Sequence, residues 1–167
     1  MSASGAREQR LARRRGERPQ TAGTGPHRQL TQQATPERWG RLVFEALRIP
    51  HVVEGRSSVS PVSSRALLID DVHDPLTPET SLAPVPPVEP AHLHGVTDTS
   101  VHLCLPVDRA AQVCDLGWGE PHGHADHATE IMVYGPRDDE ELHIVLGLLR
   151  ESVSFARQGD DGAGRQR

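Results

Sequence analysis

The stretch AHLHGVTDTSVHLCLP at Ala91–Pro106 decides the fold of this chain. The runs AHLH and SVHLCL are typical of short strands, and the turn-like GVTDTS between them predicts a β-hairpin. His92 and His94 alternate with Leu93, so both imidazoles are expected on the same face of the first strand. One face of the hairpin is therefore predicted to carry histidines.

The pairing register of this hairpin decides whether more polar groups join that face. His102 and Cys104 share one face of the second strand. If His94 stands opposite His102, all four side chains line one face of the sheet. A slip by one residue moves the second pair to the opposite face. The sequence leaves both registers open.

The chain before the hairpin predicts one helix and two short strands. The helix begins at Thr35, a capping residue, followed by Pro36 in the first turn, and it ends at Pro50. Trp39, Leu42, Val43, Ala46 and Leu47 would form its apolar stripe. The strand candidates are Val59–Val62 and Arg65–Asp70.

The chain after the hairpin predicts a short helix, a strand and a long final helix. The short helix begins at Pro106 and ends at Gly117, and the dense apolar run TEIMVYG is a strand. Asp138 and Glu141 form a capping pattern for the last helix, which ends at Gly159. This order predicts an α+β fold in which a small, mostly antiparallel sheet packs against helices, with N- and C-terminal helices flanking it.

A length of 167 residues favours one domain with tails. Residues 1–34 are rich in Arg and poor in apolar residues, and they are expected to be a disordered tail. Residues 35–158 form the predicted domain, with a proline-rich loop at 71–90, and 159–167 form a disordered C-terminal tail.

The charge distribution limits the partners of the domain. Residues 1–30 hold seven Arg and two Glu, whereas the remainder is acidic and the chain has a net charge of −5. An acidic body argues against a nucleic-acid surface on the folded domain, because phosphate binding needs clustered cations. The Arg-rich tail itself fits either RNA or acidic lipid binding or a solvated segment.

Other features indicate the compartment. Two cysteines do not make a disulfide framework, and LARRRGERPQ lacks the apolar stretch of a secretory signal. No run reaches the ~18–20 apolar residues of a membrane span. A cytoplasmic protein without a membrane span is expected, and its oligomeric state stays open.

The GWGEPH motif at Gly117–His122 is the second candidate for chemistry. Trp118 would pack inward or over a ligand, and Glu120 beside His122 would tune a general base. The alternative is a rigid turn anchored by a buried indole. His124 and His127, in the loop that follows, are expected to be inert surface residues.

Three further patterns bear on the type of site. The His-x-His pair suits a metal, but only Asp98 follows as a carboxylate, so a polar sheet face is the favoured interpretation. Tyr134 and Arg137 fit anion binding at a helix start or a capped helix alone. Cys104 is either a thiolate partner of histidine or an inert core thiol. No G-x-G-x-x-G, G-x-x-x-x-G-K-[ST] or G-x-S-x-G motif occurs.

The order AHLH, SVHLCLP, GWGEPH and MVYGPRDDEEL, preceded by TGPHRQLTQQ, resembles the luciferase-domain family of small bacterial proteins similar to fungal luciferase. The resemblance covers about Gly25–Arg157. Fungal luciferases oxygenate a pyrone-type luciferin with molecular oxygen. The resemblance therefore implies a domain that binds a small organic ligand and oxygenates it with no flavin, nucleotide or other cofactor.

The resemblance also implies site residues. The catalytic candidates are His92, His94, Glu120 and His122; the ligand-binding candidates are His102, Trp118, Tyr134 and Arg137; no metal ligand is expected. His92 or His94 would act as a base that generates a substrate anion, with Trp118 as an apolar wall. Two alternatives stay open: a metal-binding protein that uses His92, His94 and His102 or His122, and a non-catalytic interaction domain.

Overall fold

The computed structural model describes residues 10–23, 26–72, 77–123, 125 and 127–163, with 159–163 described by backbone alone. The helices are α1 (Pro36–Ala46), α2 (Val107–Asp115) and α3 (Asp139–Ala163). The strands are β1 (Thr21–Ala22), β2 (Arg28–Gln29), β3 (Val52–Gly55), β4 (Arg65–Ile69), β5 (Ala91–Gly95), β6 (Asp98–Cys104), β7 (Gly119–Pro121) and β8 (Glu130–Val133).

Six strands form one antiparallel sheet in the order β3-β4-β5-β6-β8-β7, and β1 and β2 pair separately. The predicted hairpin lies at the centre of the large sheet as β5 and β6. The apolar side chains of its core face, such as Leu93 and Leu103, are fully buried in one cluster with residues of α1 and α3. The predicted α+β fold is therefore confirmed.

The helix boundaries follow from the predicted caps. The backbone N–H of Arg38 donates to Thr35 Oγ1 at 3.3 Å, and the N–H of Glu141 donates to Asp138 Oδ1 at 2.8 Å. Six apolar residues that recur at helical spacing along the last helix are all buried: Leu142, Val145, Leu146, Leu149, Val153 and Ala156. The backbone of α3 continues past Gly159, where the helix was expected to end.

The predicted strand at Val59–Val62 is wrong, since β3 occupies Val52–Gly55 instead. Pro61 has no N–H to donate to a strand ladder, and its carbonyl accepts from Ser64 N in a turn. The GWGEPH motif also differs from a simple turn, because β7 forms within it and pairs with β8. This added strand carries Glu120 into the sheet.

The described part of the N-terminal segment differs from the expected disordered tail. We call residues 10–23 and 26–34 the N-terminal arm. Its Ala12 carbonyl accepts from Trp118 Nε1 at 2.7 Å, and its Arg14 is only 5% exposed. The arm is held by individual hydrogen bonds and ion pairs. The expectation of disorder was based on its few apolar residues, and such polar contacts cannot be inferred from them.

The remaining segments bear on the predicted domain limits. Residues 71–72 and 77–90 contain a single 3₁₀ turn at Pro78–Thr80, in line with a loop. The predictions for 1–9, 73–76 and 164–167 lie outside the described residues. Among the helices that are described, none combines the length and apolar character that crossing a membrane requires.

Candidate functional site

The observed register brings the hairpin histidines together. His92 pairs with His102, and a bulge between Leu93 and Gly95 shifts the register beyond them. Since the spacing keeps the same parity, His92, His94 and His102 lie on one face, which we call the histidine face. The cross-strand partners of His102 extend this face across the sheet, because His102 pairs with Met132 on β8 and Met132 pairs with Glu120 on β7.

Segments outside the hairpin bring two more imidazoles to this face. His27 comes from the N-terminal arm, and His122 comes from the loop after β7. We call His27, His92, His94, His102 and His122 the histidine cluster. His102 lies at its centre, with ring centroids 4.4 Å from His94, 4.6 Å from His122, 5.0 Å from His92 and 5.7 Å from His27.

Carboxylates hold the two histidines of β5. His92 Nδ1 lies 2.7 Å from Glu89 Oε1, and both side chains are almost fully buried. His94 Nδ1 lies 2.5 Å from Asp98 Oδ2 and 3.1 Å from Ser100 Oγ. These contacts fix each ring through Nδ1 and leave its other nitrogen on the far side of the ring.

Carboxylates also hold the outer histidines. His27 Nε2 lies 2.6 Å from Glu120 Oε1, and the Tyr134 hydroxyl donates to Glu120 Oε2 at 2.9 Å. His122 Nδ1 lies 3.3 Å from Glu130 Oε1. Four of the five rings in the histidine cluster therefore have an acidic partner, whereas His102 has none among the residues that the structure describes.

Three buried nitrogens of the cluster lack a hydrogen-bond partner among the described residues: His27 Nδ1, His92 Nε2 and His102 Nε2. An unpaired buried polar atom is destabilising by about 1–3 kcal/mol. Such atoms are rare in native proteins, and several in one place indicate a group that binds there.

The electrostatics of the cluster favour the neutral form of His92 and of His102. Burial lowers the pKa of His92, although the hydrogen bond to Glu89 opposes the shift. Burial, reinforced by the neighbouring histidines, holds the pKa of His102 well below its ordinary value. Burial alone would raise the pKa of Glu120, but hydrogen bonds with His27 and Tyr134 lower it overall. The site thus combines two neutral imidazoles, His92 and His102, with an ionised carboxylate, Glu120.

A cavity of about 360 Å³ opens over the histidine face. It is lined by Val59, Pro78, Ser81, Leu82, Pro84, His92, His102, His122, His127 and Glu130. The proline-rich loop supplies an apolar wall, and the histidines supply polar groups. Its volume lies within the range of about 300–1,000 Å³ that is usual for small-molecule sites.

Residues 88–152 match the family model described as Luciferase domain. Over these residues the chain is similar to that family. The matched span contains the hairpin, the GWGEPH motif and most of α3, but not the N-terminal arm. Every member of the histidine cluster except His27 therefore lies within the matched span.

The curated relatives are fungal proteins. The chain is 32% identical to a luciferase of Armillaria mellea over 83 residues, which are 46% of this chain and 30% of that protein. It is 33% identical to a luciferase of Armillaria gallica over 73 residues, 40% of this chain and 27% of that protein. The match to a luciferase of Neonothopanus nambi is 31% over 83 residues, 46% of this chain and 30% of that protein. The chain thus spans less than a third of the length of these relatives, and no solved structure matches it.

The fold brings five of the eight predicted site residues to the cluster or into contact with it: His92, His94, His102, Glu120 and His122. Trp118 lies in the hydrophobic core rather than against the cavity. The Tyr134 hydroxyl supports Glu120, and Arg137 is bonded to Glu141 at the start of α3. These three residues are thus held by core packing or by polar partners outside the cavity lining.

Some site residues were not predicted. His127 lines the cavity although it was expected to be inert, and His124 lies outside the described residues. His27 carried a signal, since it lies in the TGPHRQLTQQ stretch that contributes to the family resemblance. Glu89 lies three residues before His92. Their contact could not be predicted from this spacing, because it depends on the backbone at Pro90 and on where the strand begins.

Proposed function

We propose that this chain binds a small organic ligand in the cavity over the histidine face and oxygenates it with molecular oxygen, without a flavin or nucleotide. One observation carries the binding proposal: two histidines that line the cavity, His92 and His102, each have a buried Nε2 with no partner among the described residues. The family resemblance to fungal luciferases suggests oxygen as the second substrate.

The lining favours a neutral ring compound with an acidic hydroxyl group, such as an enol or a phenol. Val59, Leu82 and Pro84 offer apolar surface to a ring. The neutral imidazoles accept hydrogen bonds from an O–H donor. The lining includes the acidic Glu130 and no Arg, which disfavours a ligand that enters as an anion.

The chemistry follows from a neutral base next to such a hydroxyl. A ring nitrogen takes the O–H proton, and the resulting ligand anion transfers one electron to oxygen. The two radicals combine through a new C–O bond, and the imidazolium returns its proton to the peroxide. Oxygen is the oxidant and the ligand supplies the electrons, so the step needs no further redox partner.

The test is a titration of the untagged full-length chain with 4-hydroxy-2-pyrones and phenols, followed by calorimetry and by an oxygen electrode. His102→Ala is expected to weaken binding at least tenfold and to abolish ligand-dependent oxygen uptake, because it removes an acceptor from the cavity. His143 is an exposed residue on α3, so His143→Ala is the matched control and is expected to bind the ligand and take up oxygen as the parent chain does.

Circular dichroism checks that both variants are folded. Binding that is equal in His102→Ala and the parent chain would place the ligand elsewhere and overturn the proposal. Binding without oxygen uptake for any compound would refute oxygenation and leave a binding domain.

A further inference from the structure

We propose that the histidine face holds one divalent first-row transition-metal ion, bound by a ring nitrogen from each of His92, His94 and His102. This goes beyond the proposed function, since an ion can bind here whether or not an organic ligand does. It also gives the unpaired Nε2 atoms of His92 and His102 a common partner.

The three side chains converge in the way that a metal requires. One ring nitrogen from each lies within 4.8 Å of those of the other two. Nitrogens that share a tetrahedral metal at ~2.1 Å lie roughly 3.4 Å apart, so small ring rotations close the site. His92 and His94 alternate on β5 and His102 stands opposite on β6, so paired strands fix all three.

The second layer of contacts matches a metal site as well. Glu89 binds His92 Nδ1, and Asp98 and Ser100 bind His94 Nδ1. A carboxylate on the outer nitrogen of a ligating histidine sets the ring orientation and strengthens the inner nitrogen as a ligand. The two carboxylates also bring negative charge close to the position of the cation.

The arrangement leaves room for an exogenous ligand. The three histidines are between 2% and 6% exposed, and the described cavity opens beside His92 and His102. Three protein ligands with an open position are the usual arrangement of catalytic rather than structural metal sites. An acidic hydroxyl of the organic ligand would bind there as its anion.

A second triad shares His102 but fits less well. Ring nitrogens of His27, His102 and His122 also lie within 4.8 Å of one another. Glu120 holds His27 Nε2 as Glu89 and Asp98 hold the strand histidines, but His27 and His122 come from the arm and a loop rather than from paired strands. Because both triads need His102, we assign a single ion to the strand triad.

The experiment loads the untagged full-length chain, stripped with EDTA, with Co²⁺ or Zn²⁺ alone. Elemental analysis is expected to show about one equivalent of metal per chain, and Co²⁺ to give a visible spectrum of nitrogen coordination. His92→Ala is expected to weaken Zn²⁺ binding at least 100-fold. Glu89→Gln is expected to weaken it 10–100-fold with unchanged stoichiometry, as for other outer-layer partners.

His143→Ala is the control and is expected to retain the metal. If His92→Ala fails to fold by circular dichroism, His92→Gln replaces it. Substoichiometric metal in the parent chain, or equal binding in the parent and the His92 variant, overturns the assignment. Loss of metal in His27→Ala but not in the His92 variant also overturns it, because the ion would then lie in the second triad.

Both proposals use the ring nitrogens of His92 and His102, but their tests distinguish them. Metal binding with no affinity for any pyrone or phenol supports the metal site and refutes the ligand. Oxygen uptake that persists in metal-free protein, together with no measurable metal binding, refutes the metal site and leaves the histidine base.

Discussion

At Gly119, β7 lies so close to β8 that the structure has no room for a side chain. A Cβ at this position would lie 2.3 Å from the Met132 carbonyl oxygen, so Gly119→Ala must push the strands apart. We expect a loss of about 1–3 kcal/mol in the free energy of unfolding, measured in urea, because an extra methyl group in a closely packed region forces the backbone to shift. The neighbouring Glu120 would move with the backbone.

Gly40→Ala is the control, since a Cβ there contacts nothing and the substitution replaces a glycine within a helix. It should add about 0.5–1 kcal/mol, and equal losses in both variants would contradict the steric argument.

The histidine face shows how far single residues could be read from the sequence. Strand alternation predicts that His92 and His94 share a face, because it needs only the local period of two. Whether His102 joins them depends on the bulge between Leu93 and Gly95, which no local pattern specifies. Trp118 could not be placed either, since a tryptophan beside two glycines suits a core as well as a ligand wall.

At the scale of elements, Arg14 and Arg15 provide a matched test of how the N-terminal arm is attached. Arg14 Nη2 lies 3.2 Å from Glu141 Oε2, and both side chains are buried. Arg15 reaches Glu140 at 2.9 Å, but their side chains are 76% and 71% exposed. Arg14→Ala should lower the free energy of unfolding by about 1–3 kcal/mol, because buried partners lose a charged hydrogen bond.

Arg15→Ala should change the free energy of unfolding by less than about 1 kcal/mol, as is usual for exposed pairs. Urea unfolding of both variants, followed by circular dichroism, compares them directly. If the two substitutions have the same small effect, the arm does not depend on its buried ion pair.

The elements that could be predicted are those with a repeating apolar pattern and a cap. α3 shows both, and its buried positions agree with the 3.6-residue period. The arm and the proline-rich loop have no such period, so their packing could not be inferred. They supply His27 and Glu89 through individual polar contacts, which is why these two residues were missed.

At the scale of the whole molecule, the basic N-terminal arm contacts the acidic start of α3. The sequence places basic residues at the N-terminus and an acidic excess in the body. The arm carries Arg14 and Arg15 to Glu141 and Glu140 at the start of α3. An acidic helix start is already favourable because of the helix dipole, and the arm neutralises the excess of negative charge there. The opposite charges of the two segments therefore form ion pairs within the folded chain itself.

This junction predicts how the stability of the whole chain responds to acid. Burial alone would raise the pKa of Glu141, but hydrogen bonds from Arg137 and the charge of Arg14 hold it below its ordinary value of 4.5. The folded chain thus binds this proton less readily than the unfolded chain. The stabilisation from ionised Glu141 is complete above pH 4.5 and is lost as the pH falls through the lower pKa of the folded chain.

Glu141→Gln removes this titration, so the free energy of unfolding of the variant should fall less steeply between pH 5 and 3 than that of the parent chain. Urea titrations at several pH values measure the slopes, with the exposed Glu140→Gln as the control that should keep the parent slope. Parallel curves for the parent chain and Glu141→Gln would mean that other carboxyl groups account for the acid sensitivity.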